Sequence, residues 1–377
     1  MPKLAIDLLV FERGKTYGFE EYILNLLSDF KRFRSSLKIS DIILVIRDTQ
    51  ETFFREYFSN TYNLKVLSCN SLKDRLLLSK MIPELLGLQK TDIILYPANS
   101  MPLSGKKTKA LLVIHDLLYR HGDFFKNDLH SLLFRVHRYL YVPRSLRQAD
   151  KVIAISNFTK DEIIQSYGTS SSKISVIYNY FNFDKYDNDE KTIEDIDGKY
   201  ILTICSGAKH KNHITLLEGF SRFYSSHKDY KMVFVGGLPP HAQRYLNSLD
   251  DSVRNNVVLL KHLSNSDMKY VYENASMYVS ASLYEGLGMP VVEALRFGLP
   301  TILSNIQIHH EVSLNNATFF DALSPDSLCK SLEQNRDRER KIDLSFNNLL
   351  EDMYNTEHTS MRYIMEINLL TQQHLSV

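Results

Sequence analysis

The sequence predicts an α/β protein of two parallel-sheet domains, and three observations carry that prediction. Short apolar strand candidates alternate with helical stretches through the first 180 residues. An acidic stretch poor in large apolar side chains, Asp184–Gly198 (DKYDNDEKTIEDIDG), breaks the alternation, which then starts again. A βαβ rhythm of this kind belongs to a parallel sheet covered on both faces. At 377 residues, 44% of them hydrophobic, the chain suits two domains with cores of their own and is too apolar for disorder.

The elements follow in order. Leu4–Val10 reads as a buried strand, and Phe19, Tyr22, Ile23, Leu26, Leu27 and Phe30 share a helical face behind it. Strands are predicted at Asp41–Ile46, Leu64–Ser68, Asp92–Tyr96, Ala110–Ile114, Val152–Ser156 and Ile174–Ile177. Residues 1–183 form the first domain and 184–198 the linker. Beyond it, strands are predicted at Tyr200–Cys205, Met232–Val235, Val257–Leu260, Met277–Ser280 and Thr301–Ser304, with a helix at Thr215–Ser226. The second domain runs over 199–355, and the apolar spacing of Ser360–Leu370 predicts a closing helix within 356–377. Ligands of open parallel sheets sit outside the carboxyl ends of the strands. Gly14–Gly18, His115, His210–Lys211 and Glu285–Glu293 all follow predicted strands, so two facing domains would bring them to one cleft.

The segment Ser282–Asn305 (SLYEGLGMPVVEALRFGLPTILSN) is the most informative. It holds Glu285 and Glu293, with Gly286, Gly288 and Pro290 between them. The glycines remove side chains where backbone must approach a ligand. Pro290 suits the first position of a helix over 290–297, and Gly298 suits its C′ end. Such a helix start favours phosphate through its free N–H groups and dipole. Carboxylates beside it accept hydrogen bonds from hydroxyls. The ligand implied is a polyhydroxyl compound carrying phosphate, which a nucleotide sugar satisfies.

Glu-x7-Glu with an internal Gly-x-Gly-x-Pro resembles the signature of the retaining glycosyltransferases of family 4, whose architecture is GT-B. PTILSN (300–305) with IHHEV (308–312), HKN (210–212), VIHDL (113–117), PRSLRQADKVIAISN (143–157) and GFEEY (18–22) are similar to further family segments in the expected order. The resemblance covers nearly the whole chain and is similar to that of bacterial mannosyltransferases of surface polysaccharide synthesis. It implies two Rossmann-like domains facing across a cleft, with a C-terminal helix crossing back. It implies that Glu293 accepts from ribose hydroxyls. Glu285 would lie beside the donor sugar and its developing positive charge. Gly286, Leu287, Gly288 and Met289 would offer backbone N–H groups. Lys211 would meet the leaving diphosphate, and His115 would lie near the reacting centre. The glycine-rich loop that approaches the diphosphate is longer here, and Gly18 is its safer representative.

The chain departs from the family at two further places. Many members have Gly-Arg where this chain has Cys205-Ser206, so charge neutralisation rests on Lys211, with Ser206 offering only a hydrogen bond. Many have Pro-Asn-Gly where this chain has Tyr178-Asn179-Tyr180. The implied reaction moves a sugar from a nucleoside diphosphate, the co-substrate, to a glycan or lipid-linked oligosaccharide. It uses no metal ion and no resident cofactor. GDP-mannose is the first expectation, with UDP-linked sugars close behind.

Composition sets further bounds. Three widely spaced cysteines form neither a disulfide framework nor a metal-ligand pattern and point to a reducing compartment. The N-terminus lacks a signal-peptide pattern, and no run approaches a membrane span. A cytoplasmic protein is expected, with peripheral contact at the membrane's inner face left open and nucleic acid not expected as a partner. Residues 1–180 hold 26 Lys+Arg against 18 Asp+Glu, and the remainder 19 against 26. The basic half suits an anionic surface, although ordinary variation between domains explains it as well. Phe134–Arg147 interleaves arginines with aromatics and reads best as a partly buried helix with a basic outer face; the alternative is a segment that lies against a membrane or steers a lipid pyrophosphate acceptor. Two Asp-x-Asp matches, at 187–189 and 195–197, fall in the acidic linker, where solvation explains them. A sugar-nucleotide epimerase and a non-catalytic nucleotide-sugar-binding subunit remain the competing readings.

Overall fold

Aliphatic runs such as IILVI (42–46) and ALLVI (110–114) form the strands, and their near-continuous apolar character follows from burial on both faces. The computed structural model describes residues 1–14, 17–58, 60–102, 108–125, 128–180, 186, 193 and 196–372. Most of the acidic stretch at 184–198, including Asp187, Asp189 and Asp195, lies outside them; Asp197 pairs with Lys231.

The chain divides into two units. One comprises Met1–His121, Lys126–Tyr180 and Met353–Val377, the other Gly122–Phe125 and Phe181–Asp352. The first unit holds β1 (Lys3–Asp7), β2 (Asp41–Arg47), β3 (Asn63–Leu67), β4 (Ile93–Tyr96), β5 (Lys109–Ile114), β6 (Lys151–Ala154) and β7 (Ile174–Val176). They pair in parallel in the order β3-β2-β1-β4-β5-β6-β7. The second unit holds β8 (Lys199–Cys205), β9 (Tyr230–Gly236), β10 (Val257–Leu260), β11 (Met277–Ser280), β12 (Thr301–Ser304) and β13 (Thr318–Phe320). Its order is β10-β9-β8-β11-β12-β13, again parallel. Both sheets are doubly wound. The winding reverses between β1 and β4 in one and between β8 and β11 in the other, and such a switch point opens a crevice beyond the strand ends.

The second core packs Ile201, Phe234, Met277, Val279 and Ile302 of the sheet against Phe220, Phe223 and Leu328 from helices His213–Ser226 and Pro325–Asn335. The strand expectations hold to within a residue or two, except that the first strand ends at Asp7. There the chain turns, with Asp7 accepting from Leu9 N at 3.1 Å and from the Ser79 hydroxyl. Burial lifts the Asp7 carboxyl to about 6 against these two bonds. Strand β13 and helices Pro325–Asn335 and Leu344–Tyr354 were not foreseen.

The helix Thr356–Gln372 returns to the first unit and packs on helix Tyr17–Arg32. Tyr22 and Tyr363 share a hydrogen bond of 3.0 Å between hydroxyls, and Tyr180 stacks on Tyr363. Asn368 accepts from Lys38 N at 2.8 Å, Glu366 pairs with Lys151, and the Lys109 ammonium donates to Leu370 O. Tyr178 meets Tyr354 edge-on and accepts from Asn157 at 2.8 Å. The tyrosines that replace Pro-Asn-Gly are therefore anchors for the returning chain.

Gly236 is fixed by close approach of backbone to backbone. Gly236 ends β9 at φ +121°, and a Cβ there would collide with the Cys205 carbonyl. Gly236→Ala is expected to destabilise the second unit by about 2–4 kcal/mol, through backbone strain and the clash. Gly18, with open space where a methyl group would stand, should tolerate alanine. Thermal melting of the two variants checks this; equal melting temperatures would refute it.

Candidate functional site

The switch point of the second unit gathers the charged residues. The loop after β8 passes Ser206 and turns through Lys209–Lys211. Asn212, left-handed at φ +56°, then starts helix His213–Ser226. Asn212 Nδ2 donates to Ala322 O at 2.7 Å and its Oδ1 accepts from Thr215 at 3.0 Å, which pins this corner. The loop after β11 runs through Ser282 and Glu285 to Gly288. Leu283 N donates to His210 O at 2.7 Å, so the two loops are tied backbone to backbone.

Lys211 and Glu285 meet between them. Nζ donates to Glu285 Oε1 at 2.5 Å, and the Ser282 hydroxyl donates to the same oxygen at 2.7 Å. Both partners are largely buried, at 18% and 13% side-chain exposure. Burial alone would raise the Glu285 carboxyl. The charges of Lys211 and His210, with the bonds from Lys211 and Ser282, outweigh it and hold the group below its ordinary value. Glu285 is thus an ionised carboxylate at neutral pH. Ser304 supports the arrangement: its hydroxyl donates to Ser282 O at 2.5 Å. His309, fully buried, places Nδ1 2.9 Å from Ser304 O and 3.0 Å from its hydroxyl. Burial pulls the His309 imidazole down to about 4, so it is neutral.

Gly288 caps the next helix at φ +91°, a left-handed conformation that suits glycine. The helix spans Met289–Arg296, one residue ahead of the expectation that Pro290 opens it. A first-turn proline needs no N–H partner, so either position serves. Gly298 stands at C′ with φ +70°, where a Cβ would lie 2.7 Å from Lys341 O. Gly286, Gly288 and Met289 are partly exposed, and the Leu287 side chain is buried. Glu293 is also buried, at 7%, and accepts from Tyr272 at 2.5 Å. Its carboxylate is therefore held by the protein rather than lying on a solvated helix face. Ser206 is exposed beside the Lys211 turn.

His115 and Gly18 belong to the first unit, near its own switch point. His115 follows β5, and its backbone N–H donates to Asn99 Oδ1 at 2.6 Å. Its Nε2 donates to Pro97 O at 2.8 Å, beyond the end of β4. The ring meets Tyr22 and Phe19 edge-on, with centroids 4.9 and 5.6 Å apart. Burial lowers the imidazole pKa, which leaves a neutral ring with Nδ1 as acceptor. Gly18 is exposed in the first turn of helix Tyr17–Arg32. Lys15 and Thr16 lie outside the described residues. Gly14, at φ +77°, donates to Glu20 at 2.7 Å.

Ser282, Ser304, His309, Asn212 and Tyr272 were missed as members of the site. Ser282 stands three residues before Glu285 within the signature segment, a spacing at which a hydroxyl can reach that carboxylate. Asn212, Ser304 and His309 lie within segments that carry the resemblance (HKN, PTILSN, IHHEV), which gave them no role; Tyr272 carries no local signal.

Two doubly wound parallel units with a returning C-terminal helix are the GT-B architecture. A glycosyltransferase from Rickettsia africae has this fold, with a TM-score of 0.69 at 15% identity, over 98% of this chain and 99% of that one. Residues 184–341 match the family model of group 1 glycosyl transferases, and residues 40–185 that of glycosyltransferase family 4. Together the two models match residues 40–341, well over half of the chain, and the chain belongs to the glycosyltransferases they describe. It is similar to the O-antigen chain mannosyltransferase RfbU of Salmonella typhimurium, 28% identical over 63% of each chain. It is also similar to an N-acetylgalactosaminyltransferase of Campylobacter jejuni named for a diphospho-undecaprenol substrate, 25% identical over 56% of each. The chain thus spans less than two thirds of the length of these curated relatives.

A carboxyl held below its ordinary 4.5 stabilises the fold above that pH and loses the contribution as pH falls through its folded value. In Lys211→Met the main opposing charge is gone, and burial dominates. The Glu285 carboxyl should then rise above 4.5, so stability should fall as pH climbs from 4.5 to neutrality, the reverse of the wild-type contribution. Melting temperature against pH for both proteins tests it; parallel profiles would show that the pair does not set the carboxyl.

Proposed function

We propose that the protein transfers a sugar from a nucleoside diphosphate donor to a hydroxyl of a glycan or lipid-linked oligosaccharide in surface polysaccharide synthesis. The observation that carries this reading is the Lys211–Glu285 pair between the loops that follow β8 and β11. A compact ammonium suits a departing diphosphate. An ionised carboxylate beside it suits a sugar that gains positive charge as the bond to phosphate breaks.

The chemistry proceeds with retention. The bond from the anomeric carbon to the phosphate oxygen breaks, and its electron pair leaves with the diphosphate. The acceptor oxygen bonds to the same face, and its proton passes to the leaving phosphate oxygen. Lys211 steadies the departing charge, aided by the Ser206 hydroxyl and the backbone N–H groups of Gly286, Leu287, Gly288 and Met289. Glu293, oriented by Tyr272, serves the ribose hydroxyls. Roles for His115 and Gly18 near the reacting groups rest on the family resemblance alone. No metal ion and no resident cofactor take part.

Mannose from GDP-mannose is the donor this reading favours, in keeping with the name of the Salmonella relative. The name of the Campylobacter relative supports a polyprenyl diphosphate carrier for the acceptor. The reaction takes place on the cytoplasmic side of the membrane.

Glu285→Gln should lower the rate of transfer by about 10²–10³ while nucleotide binding persists. Glu293→Ala should weaken nucleoside diphosphate binding more than it slows turnover of bound donor. Calorimetric titration with GDP and UDP, beside radiolabelled sugar transfer, separates the two effects; wild-type kinetics in both variants would remove the site assignment. A chelator such as EDTA should leave transfer intact, and strict dependence on an added divalent ion would contradict the mechanism.

A further inference from the structure

The helix Leu129–Gln148 is built inside out. Leu129, Leu132, Leu133, Val136 and Leu140 recur at spacings that put them on one stripe about 100° wide. All five are exposed, Leu129 to 69% and Leu133 to 59%. The buried side chains Val142, Ser145 and Leu146 lie on the opposite side. So do two of the arginines. Arg135 Nε donates to Tyr119 O at 3.1 Å, and Arg138 Nη1 donates to Ser100 Oγ at 3.1 Å. The Ser145 hydroxyl also bridges inward, accepting from Met101 N at 3.0 Å. These bonds fix the rotation of the helix, so the outward stripe is its set orientation. A surface helix in water shows the reverse arrangement. The expectation of a basic outer face therefore fails over the first three turns, because the arginines there find acceptors within the protein.

The border of the stripe selects its occupant. The helix contains four arginines and two histidines but no Asp or Glu. Towards its C-terminus the stripe runs into Arg144 and Arg147, both exposed. Leucines bordered by guanidinium groups match hydrocarbon lying beneath anionic headgroups. A second copy placed face to face would set arginine against arginine with no carboxylate from this helix between them. No helix among the described residues is long and apolar enough to cross a membrane, so the contact would lie along the surface.

We propose that this helix seats the first unit on an anionic lipid bilayer, the leucine stripe entering the headgroup region and Arg144 and Arg147 pairing with lipid phosphates. This deepens the proposed function, on which it rests only for its purpose: a lipid-linked acceptor would be met where it resides.

The test is co-sedimentation of the full chain with vesicles of phosphatidylethanolamine and phosphatidylglycerol, and with vesicles of phosphatidylcholine alone. The anionic vesicles should bind the protein and release part of it as salt rises, with weak binding to the neutral ones. The double variant Leu133→Ser, Val136→Ser should bind about tenfold or more weakly. Its melting temperature and nucleoside diphosphate binding should stay at wild-type values, since both side chains are exposed. Arg144→Gln should lose about fivefold on anionic vesicles alone. Failure to bind either vesicle, or undiminished binding by the double variant, overturns the proposal. A dimer in sedimentation velocity that the double variant dissociates also overturns it, in favour of a second copy. Nucleotide titration reports on the proposed function independently of these outcomes.

Discussion

The structure of the second unit turns on one ion pair held out of water. A carboxylate and an ammonium placed together in a partly buried crevice are stable only if both are fixed, because either alone would face a desolvation cost with no return. The fold meets this demand at the sheet's switch point, where the loops after β8 and β11 are neighbours by topology. The Leu283–His210 backbone bond then sets their spacing, and Ser282, Ser304 and His309 fill in behind the carboxylate. The result is a charged pair held by the protein's own hydrogen bonds, which is what electrostatic stabilisation of a developing charge requires.

Much of the fold was legible because parallel strands buried on both faces write themselves as short apolar runs. Val257–Leu260, Met277–Ser280 and Thr301–Ser304 were bounded to the residue for that reason. Strand β13 was not, since Thr318–Phe320 is only three residues long and offers no periodicity. In the site, Glu285 and Lys211 were legible from glycine placement and from a family motif. Their supports were not, because Ser304 reaches the Ser282 carbonyl across 22 positions and His309 acts through Ser304, and the family segments that contain them assign neither a role. Glu293 was legible as a motif member, but its burial against Tyr272 depends on helix Asn265–Asn274, which no local signal ties to it.

The helix Leu129–Gln148 shows a different limit. Its composition announced arginines among aromatics, and the natural inference was that charge faces water. Which way a helix is rotated is settled by the acceptors it finds, here Tyr119 O and Ser100 Oγ. Composition cannot carry that information. The same holds for Tyr178 and Tyr180, which stand where the family pattern has Pro-Asn-Gly and pack against Tyr354 and Tyr363.

That tyrosine cluster bears on how the polypeptide is made. Tyr22 finds its phenolic partner 341 residues later in the chain. During synthesis the first sheet can assemble early, yet one flank of it stays bare until the helix Thr356–Gln372 has emerged. A nascent first unit therefore waits, with an aromatic surface open to chaperones or to premature association, while the second unit emerges and folds.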